Sequence, residues 1–394
     1  MFALLTQRMQ VVSFIFVAFL GLVNSSRFFV ENESVHREMF TSFKAEHSKV
    51  YDIVEEEVRF GVFQETLKLI DERNALEIAR GGEEVHGLTK FADWTQEEFN
   101  RLNGIKLPGE QEALLGDILG NSGVEGQSSG IAMSAEGEEP TASRKRQRRL
   151  GEDFYSCSTP PKKSVNWIGR LTTSVKNQKQ CGSCWAFATV EQIESDLMKD
   201  HGVKMELSPA QLVQCDVLDN GCQGGNLPTA FEYTKATGGL SLESAYPYND
   251  DIASGDTGFC RPNVANGVAT VVSYSNFNDN ITHPGEDTTP GCIEKDMANY
   301  LFKEGPIALY VDASTWNTYK GGVMTTCGTS INHGVQAVGL NMEADVPYWI
   351  IRNSWGGDWA NEGYLYMKYG DDLCRLTYSP MITTTSMANV VDAF

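Results

Sequence analysis

The sequence predicts an α+β protein whose main part has two lobes with a cleft between them. Downstream of position 151, helix signals come first and strand signals second, the order of segregated layers rather than of alternating βα units. Upstream, a charged helical unit is set apart from that region by a stretch poor in apolar residues. The chain has 394 residues, length for two or three domains, and 41% hydrophobic residues, enough for a sizeable core. A net charge of −20 argues against a nucleic-acid partner, because phosphate binding needs clustered positive charge.

Residues 11–23 are almost wholly apolar, follow Arg8 and precede Ser25 and Ser26. That pattern is a secretory signal peptide, residues 1–25, and is short for a membrane span of roughly 20 residues. It implies an oxidising secretory route toward a lysosome, a vacuole or the cell exterior, with no membrane attachment after cleavage. Residues 26–103 form the helical unit. Within it Phe60, Phe63, Leu67 and Ile70 fall on one helix face, residues 85–91 look extended, and Thr95 caps a helix through Leu102. Residues 104–149 are dominated by Gly, Ser and Glu and read as a flexible linker. The linker ends in Arg144-Lys145-Arg146-Gln147-Arg148-Arg149, a processing site with the cut after Arg149.

Residues 150–394 form the main domain. Helices are expected at 183–200, 208–215, 227–237 and 293–304, with Ser208-Pro209 as a cap followed by proline at the first helical position. Strands are expected at 270–274, 307–311, 334–340, 348–352 and 364–369. The tail after Met381 carries no assignment. Asn32-Glu33-Ser34 and Asn280-Ile281-Thr282 are glycosylation sequons.

The chemistry centres on Gln178-Lys179-Gln180-Cys181-Gly182-Ser183-Cys184-Trp185. Trp185, Ala188, Ile193 and Leu197 share one helix face and Gly202 is a stop signal, so Cys184 falls in the first turn of a helix. Free N–H groups and the positive end of the macrodipole there favour a thiolate, the nucleophilic form. The chain has nine cysteines, so one is left over from a paired set. A thiol nucleophile needs a base and the base needs an orienting group. Of the three histidines after position 151, His201 follows a helix, His283 lies in a Gly/Pro-containing loop, and His333 opens an apolar strand. Asn353-Ser354-Trp355-Gly356 follows another strand directly. Cys-x-x-Cys alone also fits redox and zinc sites, but neither explains the His333 and Asn353 blocks.

These three blocks together resemble the active-site blocks of papain-like cysteine proteases, the family of papain and cathepsin L. His333 lies 149 residues after Cys184 and Asn353 lies 169 after it, against a family interval of roughly 130–150; the excess fits an inserted loop at 278–291. The resemblance implies a two-lobed fold, one lobe helical and one with a barrel-like sheet. It makes Cys184 the nucleophile and His333 the base and then acid, together a thiolate–imidazolium pair, with Asn353 the residue that orients His333 and Trp355 the shield of their contact. Gln178 becomes the oxyanion donor, and no metal or cofactor is needed. It pairs Cys181 with Cys222, Cys215 with Cys260 and Cys327 with Cys374; Cys157 and Cys292 have no counterpart in papain and are candidates for a fourth pair. Gly224 and Gly225 form a wall that lets peptide approach the backbone. Leu227, Tyr310, Ile331, Gly334 and Ser379 line an apolar pocket for the residue two before the cut, with Tyr310 a departure from the small residue usual there.

Upstream, Glu55, Arg59, Phe63, Ile70 and Asn74, with the run Gly87-Leu88-Thr89-Lys90-Phe91-Ala92-Asp93, resemble the inhibitory prosegment of cathepsin L-type enzymes, with Thr66 and Thr89 where asparagine is usual. Such a prosegment lies through the cleft in reverse sense and inhibits its own enzyme. The expectation is a monomeric endopeptidase acting on protein and peptide substrates and made as a zymogen. An exopeptidase of the same family and a catalytically silent binding homologue are the alternatives.

Overall fold

The computed structural model describes residues 27–107, 157, 159–262, 267–278 and 288–387. The expected signal peptide, the Arg149 processing site, most of the linker and of the 278–291 loop, and the Asn280 sequon lie outside them.

The N-terminal unit is built on two helices, α1 (Glu33–Glu46) and α2 (Ile53–Ala79). Asp52 caps α2 by accepting from the amides of Val54 and Glu55, which removes two of the unsatisfied donors of its first turn. The expected stripe of Phe60, Phe63, Leu67 and Ile70 is buried, and its first three residues pack with Phe40 and Phe43 of α1. A short helix, α3 (Gln96–Asn100), starts at Thr95 with a reciprocal Thr95–Glu98 capping box. Glu98 also takes both ends of the Arg59 guanidinium, at 2.6 and 2.8 Å, tying α3 to α2.

In the main domain, β1 (Val165–Asn166) precedes three helices, α4 (Cys184–His201), α5 (Pro209–Cys215) and α6 (Leu227–Ala236). A single turn, α7 (Asp250–Ala253), follows. Then come β2 (Ala269–Asn276), α8 (Pro290–Lys303), β3 (Ile307–Val311), β4 (Val323–Met324), β5 (His333–Asn341), β6 (Tyr348–Arg352), β7 (Tyr364–Lys368) and β8 (Met381–Met387). The strand path is β2-β8-β3-β5-β6-β7-β4, open at both ends, with β1 on β5; the pairs are antiparallel except β4 with β7. The tail beyond Met381 is therefore not featureless. Met381, Thr383 and Thr385 alternate inward along β8, which pairs with β2 from Met381 to Met387. Threonine suits a strand, but the pairing that completes this one is with a partner more than a hundred residues upstream.

Helix α4 begins at Cys184 and is capped after His201 by Gly202, which adopts φ 69° and closes the last turn. Its expected apolar face is buried, but so is every residue from Cys184 to Leu197. The reason is its position between the lobes, packed on α5 and α6 on one side and on β5 and β8 on the other. The polar residues of α4 are consequently paired inside the protein. Glu194 receives Thr173 Oγ1 at 2.5 Å and the Leu207 amide at 2.7 Å. Gln336 Nε2 reaches the Glu191 carbonyl at 3.1 Å and Ser195 Oγ at 3.0 Å. Arg352 Nε lies 3.4 Å from the Glu191 carboxylate, both fully enclosed. This polar seam fixes β5 and β6 against α4, so the strand ends that carry His333 and Asn353 come to the start of the helix that carries Cys184.

The N-terminal unit shares cores with both lobes. Val85, Phe91, Phe99 and Leu102 belong to the cluster of Trp316, Trp349, Trp355 and Trp359, and Ile105 belongs to the cluster around α4.

Candidate active site

Eight cysteines form four pairs: Cys157–Cys292, Cys181–Cys222, Cys215–Cys260 and Cys327–Cys374. Cys184 is the free one, at the first helical residue of α4 and fully buried. Its Sγ accepts the Gly104 amide at 3.2 Å. His333 opens β5, and its Nε2 lies 2.8 Å from Asn353 Oδ1. That Oδ1 also accepts the Ser354 amide at 2.8 Å, which identifies it as the oxygen of the side-chain amide. Nε2 must then carry the proton and donate, which leaves Nδ1, without a hydrogen-bond partner, as the basic nitrogen. The Trp355 ring lies 4.9 Å from the imidazole and Trp316 meets it edge-on at 5.9 Å, keeping water from the His333–Asn353 contact.

Gln178 is buried and held at both ends of its side chain. Ser354 Oγ donates to its Oε1 at 2.7 Å, and its Nε2 donates to the Cys181 and Leu102 carbonyls, each at 2.8 Å. The Cys181–Cys222 disulfide and the bond from the Gly182 amide to Cys222 O at 3.0 Å anchor the loop that delivers both Gln178 and Cys184.

Burial dominates the electrostatics of this covered state. It pushes the Cys184 thiol up to about 11, against the lowering effect of the Gly334 and Gly104 amides. It pushes the His333 imidazole down to about 4, against the bond to Asn353. The helix start favours a thiolate, as expected from sequence, but with the cleft covered the thiol and the imidazole are both neutral at pH 7.

The covering chain is residues 102–107. Gly225 N donates to Gly104 O at 2.8 Å, Lys106 N to Gly225 O at 2.9 Å, and Ile105 N to Asn332 O at 3.2 Å. The pairing of Ile105 with Gly225 is parallel, which fixes the sense in which the segment crosses the cleft. Composition places residues 104–107 in a flexible linker; backbone pairing, which composition does not report, holds them in the cleft. Further anchors come from Lys90 Nζ, 2.5 Å from Trp355 O and 2.7 Å from Asp358, and from Phe91 and Phe99, edge-on to Trp355 at 5.5 and 5.1 Å. Asn74 clasps the main chain of His86 through two bonds of 2.9 and 3.0 Å. The two departures from the prosegment pattern are satisfied differently: Thr66 bonds back to Val62 O at 3.1 Å, and the Thr89 hydroxyl donates to Asn317 O.

Among the expected pocket residues, Leu227 and Tyr310 are buried in the α4 cluster, and Ile331 packs on it. Gly334 faces Ile105, whose δ-methyl would stand 3.3 Å from a Cβ placed there. Ser379 instead receives Asn276 Nδ2 at 2.7 Å. Sequence reasoning missed Asn226, whose Nδ2 donates to Lys106 O at 3.0 Å, and Glu77. The Glu77 carboxylate takes the Thr325 amide and hydroxyl at 2.7 and 2.6 Å and those of Thr326 at 3.0 and 2.5 Å. The glycine pair before Asn226 was a signal for the first; Glu77 carried none, being one more acidic residue on a charged helix.

No helix among the described residues is long and apolar enough to cross a membrane. Residues 161–384 match the family described as papain family cysteine protease, and residues 40–99 match the cathepsin propeptide inhibitor domain. The chain is 33% identical over 350 residues to cysteine proteinase 2 of Leishmania pifanoi, covering 87% of this chain and 68% of the relative. It is 31% identical over 384 residues to cysteine proteinase 1 of Dictyostelium discoideum, covering 92% and 96%. Among solved structures it is similar to digestive procathepsin L 3 of the Tenebrio molitor larval midgut, with a TM-score of 0.63, 27% identity, and coverage of 89% of this chain and 99% of that one. With a free cysteine at a helix start, a histidine held by an asparagine, and its own N-terminal unit laid across both, the chain belongs to the papain family of cysteine proteases and carries its inhibitory prosegment.

Proposed function

We propose that the protein is an endopeptidase of the secretory and lysosomal route that cuts after a site preceded by a hydrophobic P2 residue, with Cys184, His333, Asn353 and Gln178 as its machinery. With the cleft open, the Cys184 proton passes to Nδ1 of His333, and the thiolate of the resulting thiolate–imidazolium pair attacks the scissile carbonyl carbon. The C–N bond then breaks, that proton leaves with the amine, and an acyl-enzyme remains. Water attacks it with His333 as base, releasing the acid and restoring the thiol. Asn353 holds the imidazole with Nδ1 toward the thiol. Gln178 Nε2 and the Cys184 amide stabilise the oxyanion, an effect worth roughly 3 kcal/mol per donor in comparable sites.

The observation that carries this reading is the bond from Gln178 Nε2 to Leu102 O. A carbonyl of the prosegment occupies the donor that a substrate carbonyl needs, beside a thiol capped by the next glycine. Ile105 against Gly334, in the apolar cluster of Leu227 and Tyr310, supports a hydrophobic P2 residue. In the test, the acid-activated chain is given a peptide blocked at both ends with an aliphatic P2 residue. Hydrolysis that vanishes in Cys184→Ala supports the reading. Turnover only of peptides with a free terminus would assign an exopeptidase instead.

A further inference from the structure

We infer that Asn226 binds the main chain of whatever peptide lies in the cleft, and that Tyr310 is the positioning residue that aims it. The ligand class is a peptide backbone carbonyl. The inference deepens the protease reading and rests on it for substrates, though not for the prosegment.

Asn226 occupies the N-cap position of α6, where asparagine ordinarily accepts a bond from an amide of the first turn. Here its side chain makes no capping bond. One of the two amides that such a side chain ordinarily caps is missing. Pro228, in the first turn, has no N–H to offer. The Leu227 amide donates to the Tyr310 hydroxyl at 3.0 Å.

That hydroxyl decides which way the Asn226 amide points. Having accepted from Leu227, it has its own proton left to place, and it gives it to Asn226 Oδ1. The oxygen therefore faces Tyr310 and the NH2 group faces the cleft, where it meets Lys106 O at 3.0 Å. Both side chains are buried, Asn226 3% and Tyr310 2% exposed, so neither orientation is left to solvent. The Asn226 main chain is fixed as well, by its amide on Asp219 Oδ1 at 2.9 Å. The Tyr310 hydroxyl is thus spent on Asn226 and Leu227 and is not available to a substrate side chain. Beside it, Gly225 already exchanges two main-chain bonds with Gly104 and Lys106. Asn226 adds a third, from a side chain that a small residue at position 310 would leave free to turn.

Tyr310→Phe, Asn226→Ala and the double variant test this in the full chain. After activation, on a peptide blocked at both ends, each single variant raises KM by roughly 3- to 10-fold while kcat stays within about twofold. The double variant is no worse than Asn226→Ala, because Tyr310 acts through Asn226. Additive losses, or an unchanged KM in Asn226→Ala, overturn the inference. A second readout needs no activity and so survives failure of the protease reading. In the unprocessed chain, hydrogen exchange at the amides of Ile105 and Lys106 accelerates roughly 3- to 10-fold in both single variants. Unchanged exchange in both overturns the inference whatever the catalytic result.

Discussion

The Gly104 amide donates to Cys184 Sγ at 3.2 Å, so the chain's own backbone caps its free thiol. Only glycine permits this approach. A Cβ at position 104 would stand 1.8 Å from Gly182 O, well inside contact distance of rigid backbone. In Gly104→Ala the segment has to lift from the cleft, at a cost of about 2 kcal/mol. The uncovered fraction of the unprocessed chain then rises roughly 30-fold. The check is the rate of peptide hydrolysis at neutral pH before any cleavage; a rate equal to the unmodified chain's would contradict the geometry.

Acid should loosen the cover through His333. Burial lowers its pKa from the ordinary 6.5 to about 4, so the uncovered state binds the proton more readily. The contribution of this group to covering is complete above pH 6.5, weakens as pH falls toward 4, and changes little below that. Tryptophan fluorescence reports release, because Trp355 packs on Phe91 and Phe99. His333→Ala should flatten the release curve across that window while leaving any steeper change at lower pH.

Glu77 sets a second, more acidic window. Burial alone would raise its pKa, but the His86 imidazole 3.7 Å away and the bonds from Thr325 and Thr326 outweigh burial and hold the carboxyl below its ordinary 4.5. Its grip is therefore present above pH 4.5 and lost as pH falls through the lowered value. Glu77→Gln removes the charge and faces an NH2 group toward donors, a cost of about 2 kcal/mol. The variant should release its prosegment at a higher pH than the unmodified chain in the same fluorescence assay.

The seam between the lobes predicts a stability effect. Arg352→Met leaves the Glu191 carboxylate enclosed without its cation, and Thr173 Oγ1 and the Ser174 carbonyl, at 2.8 and 2.5 Å, without their donor. Loss of about 3 kcal/mol is expected, read as a lower midpoint in thermal unfolding. Replacing Glu191 by leucine in the same chain should recover part of it.

Much of this architecture was legible because its causes are local. Gly202 and the spacing of Trp185, Ala188, Ile193 and Leu197 placed Cys184 at a helix start. The adjacency of Asn353 to a strand end, and of His333 to a strand start, placed the other two members of the site. What stayed hidden depends on partners far away in sequence. The buried polar face of α4 looks solvent-facing until the second lobe closes on it. Glu77 has meaning only beside Thr325, 248 residues on, and β8 only beside β2. The altered state of the thiol was equally out of reach, since the helix start argues for a thiolate and only the lid of residues 102–107 reverses the balance.

The central claim is that Cys184 is the nucleophile and that the prosegment, not the site's own chemistry, keeps it silent. Labelling with an active-site epoxide, followed by peptide mapping, tests it most directly. The intact chain at pH 7 should remain unlabelled, and the acid-released chain should carry one label, on Cys184. Labelling of the intact chain at the same rate, or of a residue other than Cys184 after release, would contradict the account.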